Sequence, residues 1–243
     1  METYTASTYG DRIAEIYDDR HDACDEAAVL FLAELARGGR ALELGVGTGR
    51  VALPLSGRGV EVHGIDASAA MVERLRAKPG GERIPVALGD FAEVGVEGEF
   101  ALVYVVFNTF FALLSQESQV RCFRNVARRL SPGGVFLVEA FVPDVARYEG
   151  GQVNRATEVT ADRVVYDVAR HDPARQYVTG QSVVVTDGRV RLYPVQLRYA
   201  WPSELDLMAR LAGLRLRGRW GGWRREEFTA RSEKHVSVYE RPV

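Results

Sequence analysis

The chain has 243 residues, 47% of them hydrophobic, and 31 basic against 33 acidic side chains give a net charge of −2. That length suits one globular domain with a sizeable core and room for an insertion, and near-neutral charge without a basic block argues against a nucleic-acid partner. The absence of a long apolar run, a polar and acidic N-terminus, and two isolated thiols, Cys24 and Cys122, argue against a membrane span, a signal peptide, a disulfide framework and a metal centre, so a cytoplasmic chain with no metal is expected.

In chain order, residues 22–37 carry Ala23, Ala27, Leu30, Phe31, Glu34 and Leu35 at mostly helical spacing before Gly38-Gly39, which predicts a helix. Residues 40–45 read as a short buried strand leading into Glu43-Leu44-Gly45-Val46-Gly47-Thr48-Gly49-Arg50. Alternating glycines let this backbone turn sharply and leave it bare toward a ligand. A helix is expected over 49–56, a strand over Val60–Ile65, a helix over Ser68–Ala77, and strands over Ile84–Leu88 and Phe100–Val106. Helix 116–130 should stop at Ser131-Pro132-Gly133-Gly134 and hand over to strand Val135–Phe141. Strands alternating with helices predict a parallel sheet covered on both faces, with its ligand beyond the strand carboxyl ends.

After about residue 150 the pattern changes. Three stretches rich in Val, Tyr and Thr, 156–170, 175–186 and 189–200, are joined by Asp172-Pro173 and Asp187-Gly188. The second junction is a hairpin signal, and together they predict an antiparallel insertion. Ser203 is expected to cap a helix that ends at Gly213. Strand Leu214–Arg219, the loop Trp220-Gly221-Gly222-Trp223 and strand His235–Glu240 complete the pattern.

Two cofactor fingerprints overlap in the glycine loop. From Gly47 the chain spells G-T-G-R-V-A, which matches the dinucleotide pattern G-x-G-x-x-G/A, and from Glu43 it spells E-x-G-x-G-x-G. The glycines alone leave both open. Asp66 closes the second strand, where a carboxylate can accept from both ribose hydroxyls. Asp66-Ala67-Ser68-Ala69-Ala70-Met71 then supplies a helix cap and a methionine, and Gly89-Asp90-Phe91 an acid and an aromatic suited to an adenine ring.

With E-L-G-V-G-T-G, G-I-D-A-S-A-A-M, G-D-F and S-P-G-G in this order, the chain resembles the class I S-adenosylmethionine-dependent methyltransferases over nearly its whole length. In style it is similar to the bacterial small-molecule type. The resemblance implies an α/β, Rossmann-like seven-stranded sheet with helices on both faces, its last strand antiparallel, and an antiparallel β insertion after the fifth strand. It divides the chain into an N-terminal helical cap (1–38), a cofactor-binding core (39–150), an insertion serving as lid or dimer surface (151–201), and a C-terminal helix and hairpin completing the core (202–243).

The same resemblance implies roles. Glu43, Gly45, Gly47 and Gly49 would surround the methionine part of S-adenosylmethionine, Asp66 the ribose, and Ala67, Met71, Asp90 and Phe91 the adenine. Val106 and Phe107 would lie near the sulfonium. Tyr9, Tyr17 and Arg20 resemble residues that close over the cofactor carboxylate.

A sulfonium methyl is already activated, so proximity and orientation carry most of the reaction and a base is optional. His235, at the start of the last strand, is the first candidate for one, with Glu139 and Tyr104 behind it. Where several aminosugar relatives carry a histidine, this chain has Ala112. The segment after the fourth strand lacks the D/N/S-P-P-Y/F motif that grips a flipped base, so nucleic acid is not the expected substrate. Asn108, Phe111, Tyr199 and Trp223 are the candidates for acceptor contacts. The expected activity is methyl transfer to an amine or hydroxyl of a small molecule. The alternatives are an NAD(P)-dependent oxidoreductase and a non-catalytic S-adenosylmethionine-binding protein. A homodimer through the insertion is a further expectation.

Overall fold

A computed structural model describes residues 4–21 and 23–242. The elements run α1 (Thr8–Ile13), a 3-10 turn, α2 (Tyr17–Arg20), α3 (Glu26–Ala36), β1 (Ala41–Leu44), α4 (Ala52–Gly57), β2 (Val62–Asp66), α5 (Ala69–Arg76) and β3 (Val86–Leu88). They continue with β4 (Phe100–Val105), α6 (Gln116–Arg129), β5 (Leu130–Phe141), β6 (Gln152–Val159), β7 (Arg163–Asp172), β8 (Tyr177–Thr186), β9 (Arg189–Arg198), α7 (Pro202–Leu211), β10 (Arg215–Trp220) and β11 (Lys234–Glu240).

Seven strands form one sheet in the order β10-β11-β5-β4-β1-β2-β3. Neighbours from β3 to β5 are parallel, whereas β11 is antiparallel to both β5 and β10. The chain winds from β1 to one edge and returns through β4 on the other side of β1, which makes the β1–β4 boundary the switch point where ligands gather. This is the expected Rossmann-like sheet, antiparallel strand included.

Alternating side chains divide the core in two. Leu42, Leu44, Val103, Val105, Phe136 and Val138 pack on Cys122, Phe123 and Val126 of α6 and on Leu205, Met208 and Ala209 of α7. Ala41, Val62, Tyr104, Leu137, Val236 and Val238 pack on Phe31, Leu32 and Leu35 of α3 and Ala52 and Leu55 of α4. Each fully buried Leu or Phe here contributes roughly 1.5–3 kcal/mol by leaving water.

The insertion is a separate four-stranded antiparallel sheet, β6-β7-β8-β9. Three stretches were expected, and the first divides at Thr160-Ala161-Asp162. There the Thr160 hydroxyl donates to Asp162 at 2.8 Å and accepts from the Arg163 N–H at 3.1 Å, a side-chain turn that no glycine or proline announces. Asp187 and Gly188 have φ of 49° and 71°, as the predicted two-residue hairpin requires. One face of this sheet buries Val165, Val184 and Tyr193 against Ile13, Ala14 and Met71, so α1 is held between the insertion and α5.

Several boundaries differ from expectation, three of them for a visible physical reason. Helix α4 starts at Ala52 rather than 49, because Gly49, at φ 79°, is still in the turn. Strand β5 starts at Leu130 and absorbs the Ser-Pro-Gly-Gly turn: the Gly133 N–H donates to the Arg241 carbonyl at 3.1 Å and Gly134 O accepts from the Arg241 N–H at 2.9 Å. Helix α7 starts at Pro202, a residue pre-set for the first turn, so Ser203 lies inside the helix and is not its cap.

Candidate active site

The site grows from the loop between β1 and α4. A Cβ on Gly49 would fall 2.2 Å from Leu75 Cδ1, so that glycine serves packing. Gly47, at φ 54°, faces open space, so its missing side chain leaves room for an approaching ligand. The Gly47 N–H donates to Asp66 Oδ2 at 2.7 Å, and the Ser68 N–H to Asp66 Oδ1 at 2.9 Å. Asp66 therefore ties the end of β2 to the loop after β1. Burial raises its pKa, opposed by bonds from the Ser68, Gly47 and Ala67 amides.

Glu43 is buried and accepts from the Tyr104 hydroxyl at 2.9 Å. Burial pushes its carboxyl up to about 8, against the Tyr104 bond, the Arg50 charge and the Ala52 N–H. Its partners Tyr104 and Ala52 belong to β4 and α4, which makes it an anchor of the loop from beneath. Farther along, Met71 is buried beside Ile13. Asp90 is exposed and accepts from the Ala92 N–H at 2.8 Å, and Phe91 is buried in the α6 core.

The N-terminal segment closes over this loop. The Thr48 hydroxyl donates to Asp18 Oδ1 at 2.6 Å, and Lys78 Nζ reaches both Asp18 Oδ2 and the Thr48 carbonyl at 2.8 Å. Tyr17 is hydrogen-bonded to Arg50. Half-buried Tyr9 packs on the cluster formed by α1, α5 and the insertion. Arg20 Nη2 donates to the Ser182 hydroxyl at 2.9 Å, and the guanidinium lies 5.3 Å from the Tyr193 ring centroid. Arg20 Nη1 is buried without a hydrogen-bond partner among the described residues.

Beyond the carboxyl ends of β4 and β5 lies a cleft of about 340 Å³ whose wall includes Arg20, Arg50, Phe107, Glu139, Trp223 and Lys234. Phe107 and Asn108 have φ of 57° and 63°, a conformation unusual outside glycine. Three bonds from the end of β5 hold them there. The Phe107 N–H donates to Glu139 Oε2 at 2.5 Å, the Asn108 N–H to the Glu139 carbonyl at 3.3 Å, and Asn108 Oδ1 accepts from the Phe141 N–H at 2.7 Å. The Arg50 guanidinium sits 4.3 Å from the Phe107 ring centroid, and His21 meets that ring edge-on at 5.0 Å.

The expected residues thus separate. Val106, Phe107, Arg20 and Trp223 reach the cleft. Phe111 is fully buried, with its ring 4.9 Å from that of Phe141, and Tyr199 is buried with its hydroxyl 2.9 Å from His171 Nε2. The Asn108 side-chain oxygen is taken by the Phe141 N–H of the sheet. His235 departs furthest from expectation. Its neighbours Val236 and Lys234 face α3 and the cleft, so His235 points to the other face, where Nδ1 pairs with the Ser237 hydroxyl at 2.9 Å. Burial, with help from Arg219, lowers its pKa to about 3. A neutral, enclosed imidazole on the wrong side of the sheet cannot reach a substrate in the cleft. Arg50, His21, Cys24 and Lys234 were not anticipated. Arg50 was legible in principle, because it follows the last loop glycine directly.

A methyltransferase-domain family model matches residues 41–134. The cypemycin N-terminal methyltransferase of a Streptomyces species is 31% identical over 201 residues, 82% of each chain. The structure of the CcbJ methyltransferase from Streptomyces caelestis matches with a TM-score of 0.93 at 41% identity, over 99% of this chain and 100% of that one. At the level of fold, S-adenosylmethionine-bound CalS10, an amino pentose methyltransferase from Micromonospora echinaspora, matches with a TM-score of 0.67 at 20% identity, over 99% of each chain. The G-T-G-R-V-A match to dinucleotide enzymes is therefore incidental, and the chain belongs to the class I S-adenosylmethionine-dependent methyltransferases, whose small-molecule type it follows in fold and in donor.

Proposed function

We propose that this methyltransferase acts on an amine of a small molecule. The observation that carries the proposal is the cleft itself: it adjoins Arg50 of the glycine loop and Val106 at the end of β4, and its wall holds two carboxylates, Asp25 and Glu139. Carboxylates suit a neutral amine, since they accept its N–H bonds and stabilise the positive charge that the nitrogen gains as it takes the methyl group. The names of the relatives point the same way: one is an N-terminal methyltransferase, one an amino pentose methyltransferase and one, at 28% identity, an N,N-dimethyltransferase of a dTDP-4-amino sugar. A hydroxyl acceptor is the second reading, favoured by His21 in the cleft wall.

The residues present fit the donor, because Gly47 faces open space and Arg20 Nη1 is a buried donor with no hydrogen-bond partner among the described residues. Gly45 and Gly47 would line the methionine part with Gly49 packing beneath them, Asp66 would take the ribose hydroxyls, and Ala67, Met71, Asp90 and Phe91 would border the adenine. Tyr9, Tyr17 and Arg20 would close over the amino-acid end. S-adenosylmethionine, when bound, supplies a methyl group activated by the sulfonium. The chain's own part is to orient the acceptor nitrogen, exclude water behind the N-terminal segment, and hold charges of the right sign at the cleft.

In this proposal residues 1–38 are a cap, 39–150 and 202–243 the catalytic core, and 151–201 a clamp on the cap and a dimer surface. Val159, Tyr166, Val190 and Leu192 are 70, 40, 62 and 54% exposed. Cross-strand pairing places Tyr166 and Leu192 level with Val183, and Val159 and Val190 in register with Val164 and Val185, on one face. A second copy packed on that face would cover this apolar patch. No described helix is long and apolar enough to cross a membrane.

Incubation with S-adenosylmethionine and a panel of probes tests the acceptor. The panel would hold a tripeptide with a free N-terminus, a 4-amino-4-deoxyhexose, a simple sugar and a phenol, with methylated products read by mass spectrometry. Methylation of the amine probes is expected; methylation confined to the sugar or phenol would overturn the amine assignment. Light scattering of the wild type and Leu192→Lys tests the dimer, which should dissociate in the variant.

A further inference from the structure

Of the two carboxylates in the cleft wall, only one has an oxygen to offer. Asp25 caps α3 through the Ala27 N–H at 2.9 Å, and both of its oxygens also meet the Arg224 guanidinium, at 3.1 and 3.2 Å. Glu139 is held on one side only: Oε2 accepts from the Phe107 N–H at 2.5 Å, and no described residue bonds Oε1. Its position follows from strand geometry. Glu139 is level with Val236 on the antiparallel neighbour β11, which places it on the α3 face of the sheet, where the cleft opens.

We propose that Glu139 is the docking residue for the methyl acceptor: Oε1 takes an N–H of the acceptor amine while Oε2 keeps the Phe107 amide. This proposal rests on the amine reading of the cleft and adds to it the atom that fixes the nitrogen. One carboxylate then performs two tasks. It holds Phe107 and Asn108 in their left-handed conformation, and it aims the acceptor across the residues that follow β4.

The strained pair is the second support. Two consecutive non-glycine residues at positive φ are strained, and such strain persists where surrounding bonds over-determine it. Here those bonds come from Glu139, by side chain and by main chain, and from Asn108 to Phe141. Burial raises the Glu139 carboxyl's pKa, opposed by the Phe107 N–H and by the charges of Lys234 and Arg50. A carboxylate in such surroundings gains from a cationic partner.

Sinefungin provides a probe that needs no identified acceptor, because it replaces the sulfonium and its methyl by a carbon bearing an amine, so its nitrogen lies where methyl donor meets acceptor. Affinities of sinefungin and S-adenosylhomocysteine are measured by calorimetry for the wild type, Glu139→Gln and Glu139→Asp. Glutamine retains an oxygen for the Phe107 N–H and lacks the charge. In Glu139→Gln, sinefungin should bind about tenfold or more weakly while S-adenosylhomocysteine stays within about twofold. Glu139→Asp, which keeps the charge one methylene farther back, should recover part of the difference. Parallel changes for both ligands, or none for either, would overturn the proposal. Failure of the amine reading shows elsewhere, as turnover of hydroxyl probes alone by the wild type. An unmoved ligand ratio alongside amine turnover removes only the assignment of Glu139.

Discussion

The hydroxyl of Thr48 donates to Asp18 at 2.6 Å, joining the glycine loop to the N-terminal segment that covers it. Lys78 grips the same pair from α5's side, with Nζ 2.8 Å from both Asp18 Oδ2 and the Thr48 carbonyl. The cap is thereby latched to the part of the loop closest to its open glycine.

Breaking that latch should loosen the cap without unfolding the core. Asp18→Ala is expected to speed proteolytic cleavage within residues 4–21 and to weaken S-adenosylmethionine by about tenfold, as for loss of charge-assisted bonds. The sign with pH follows from the carboxyl. Partial burial pushes its pKa up, but the bonds from Lys78 and Thr48 and the Lys78 charge bring it below the usual 3.8. The latch is thus complete above 3.8 and is lost as pH falls through the folded-state value. Protease protection measured against pH checks it, and equal protection in wild type and variant at neutral pH would count against the latch.

Two glycine substitutions should separate ligand space from packing space. Gly49→Ala places a Cβ 2.2 Å from Leu75 Cδ1, so a lower melting temperature is expected, with loss of folded protein as the dominant effect. Gly47→Ala meets no atom within 4 Å and carries only left-handed strain of roughly 1–2 kcal/mol. Its melting temperature should move less while cofactor affinity falls. Calorimetry and thermal unfolding on both variants make the comparison, and the reverse ranking would show that Gly47 has no ligand beside it.

Asp66→Ala removes the proposed ribose acceptor and the bond that holds the Gly47 amide. A loss of about tenfold or more in S-adenosylmethionine affinity is expected. Asp66→Asn keeps an oxygen for one amide and should fall between. Wild-type affinity in both variants would mean that the ribose lies elsewhere.

His235 should prove dispensable for turnover. Below pH 6.5 the unfolded chain protonates this imidazole, whereas the folded chain keeps it neutral down to about 3. Its depressed pKa therefore contributes stability that is present above 6.5 and lost as pH falls toward 3. His235→Leu should leave kcat within about twofold, the range of a change that touches no reacting group. It should also flatten the decline of melting temperature in acid. A large drop in kcat at unchanged cofactor affinity would return His235 to the chemistry.

The alternation of strand and helix, the glycine loop and Asp66 were legible because each is set by short-range chemistry: periodicity, a turn that needs positive φ, a charge at a strand end. What was hidden depends on pairing across the sheet. Lys234 and His235 are adjacent, and only the register of β11 against β5 decides which of them faces the cleft. The aromatic residues Phe107 and Phe111 lie in one short segment, yet the first is 41% exposed and the second fully buried, a difference made by α6 and β5. The turn at Thr160 rests on side-chain bonds rather than on glycine or proline, so composition did not mark it. Glu139 gains its importance from the Phe107 amide, 32 positions earlier in the chain.

The clamp formed by the insertion has a consequence for the order of assembly. The N-terminal segment emerges before the insertion during synthesis, so its seat on Val165, Val184 and Tyr193 is made of residues translated much later. Arg20 waits 162 residues for Ser182. Contacts of such long range close late, after local structure has formed. Closure of the N-terminal segment over the glycine loop is thus among the last steps of folding, and a truncated or stalled chain would complete that loop without acquiring its cover.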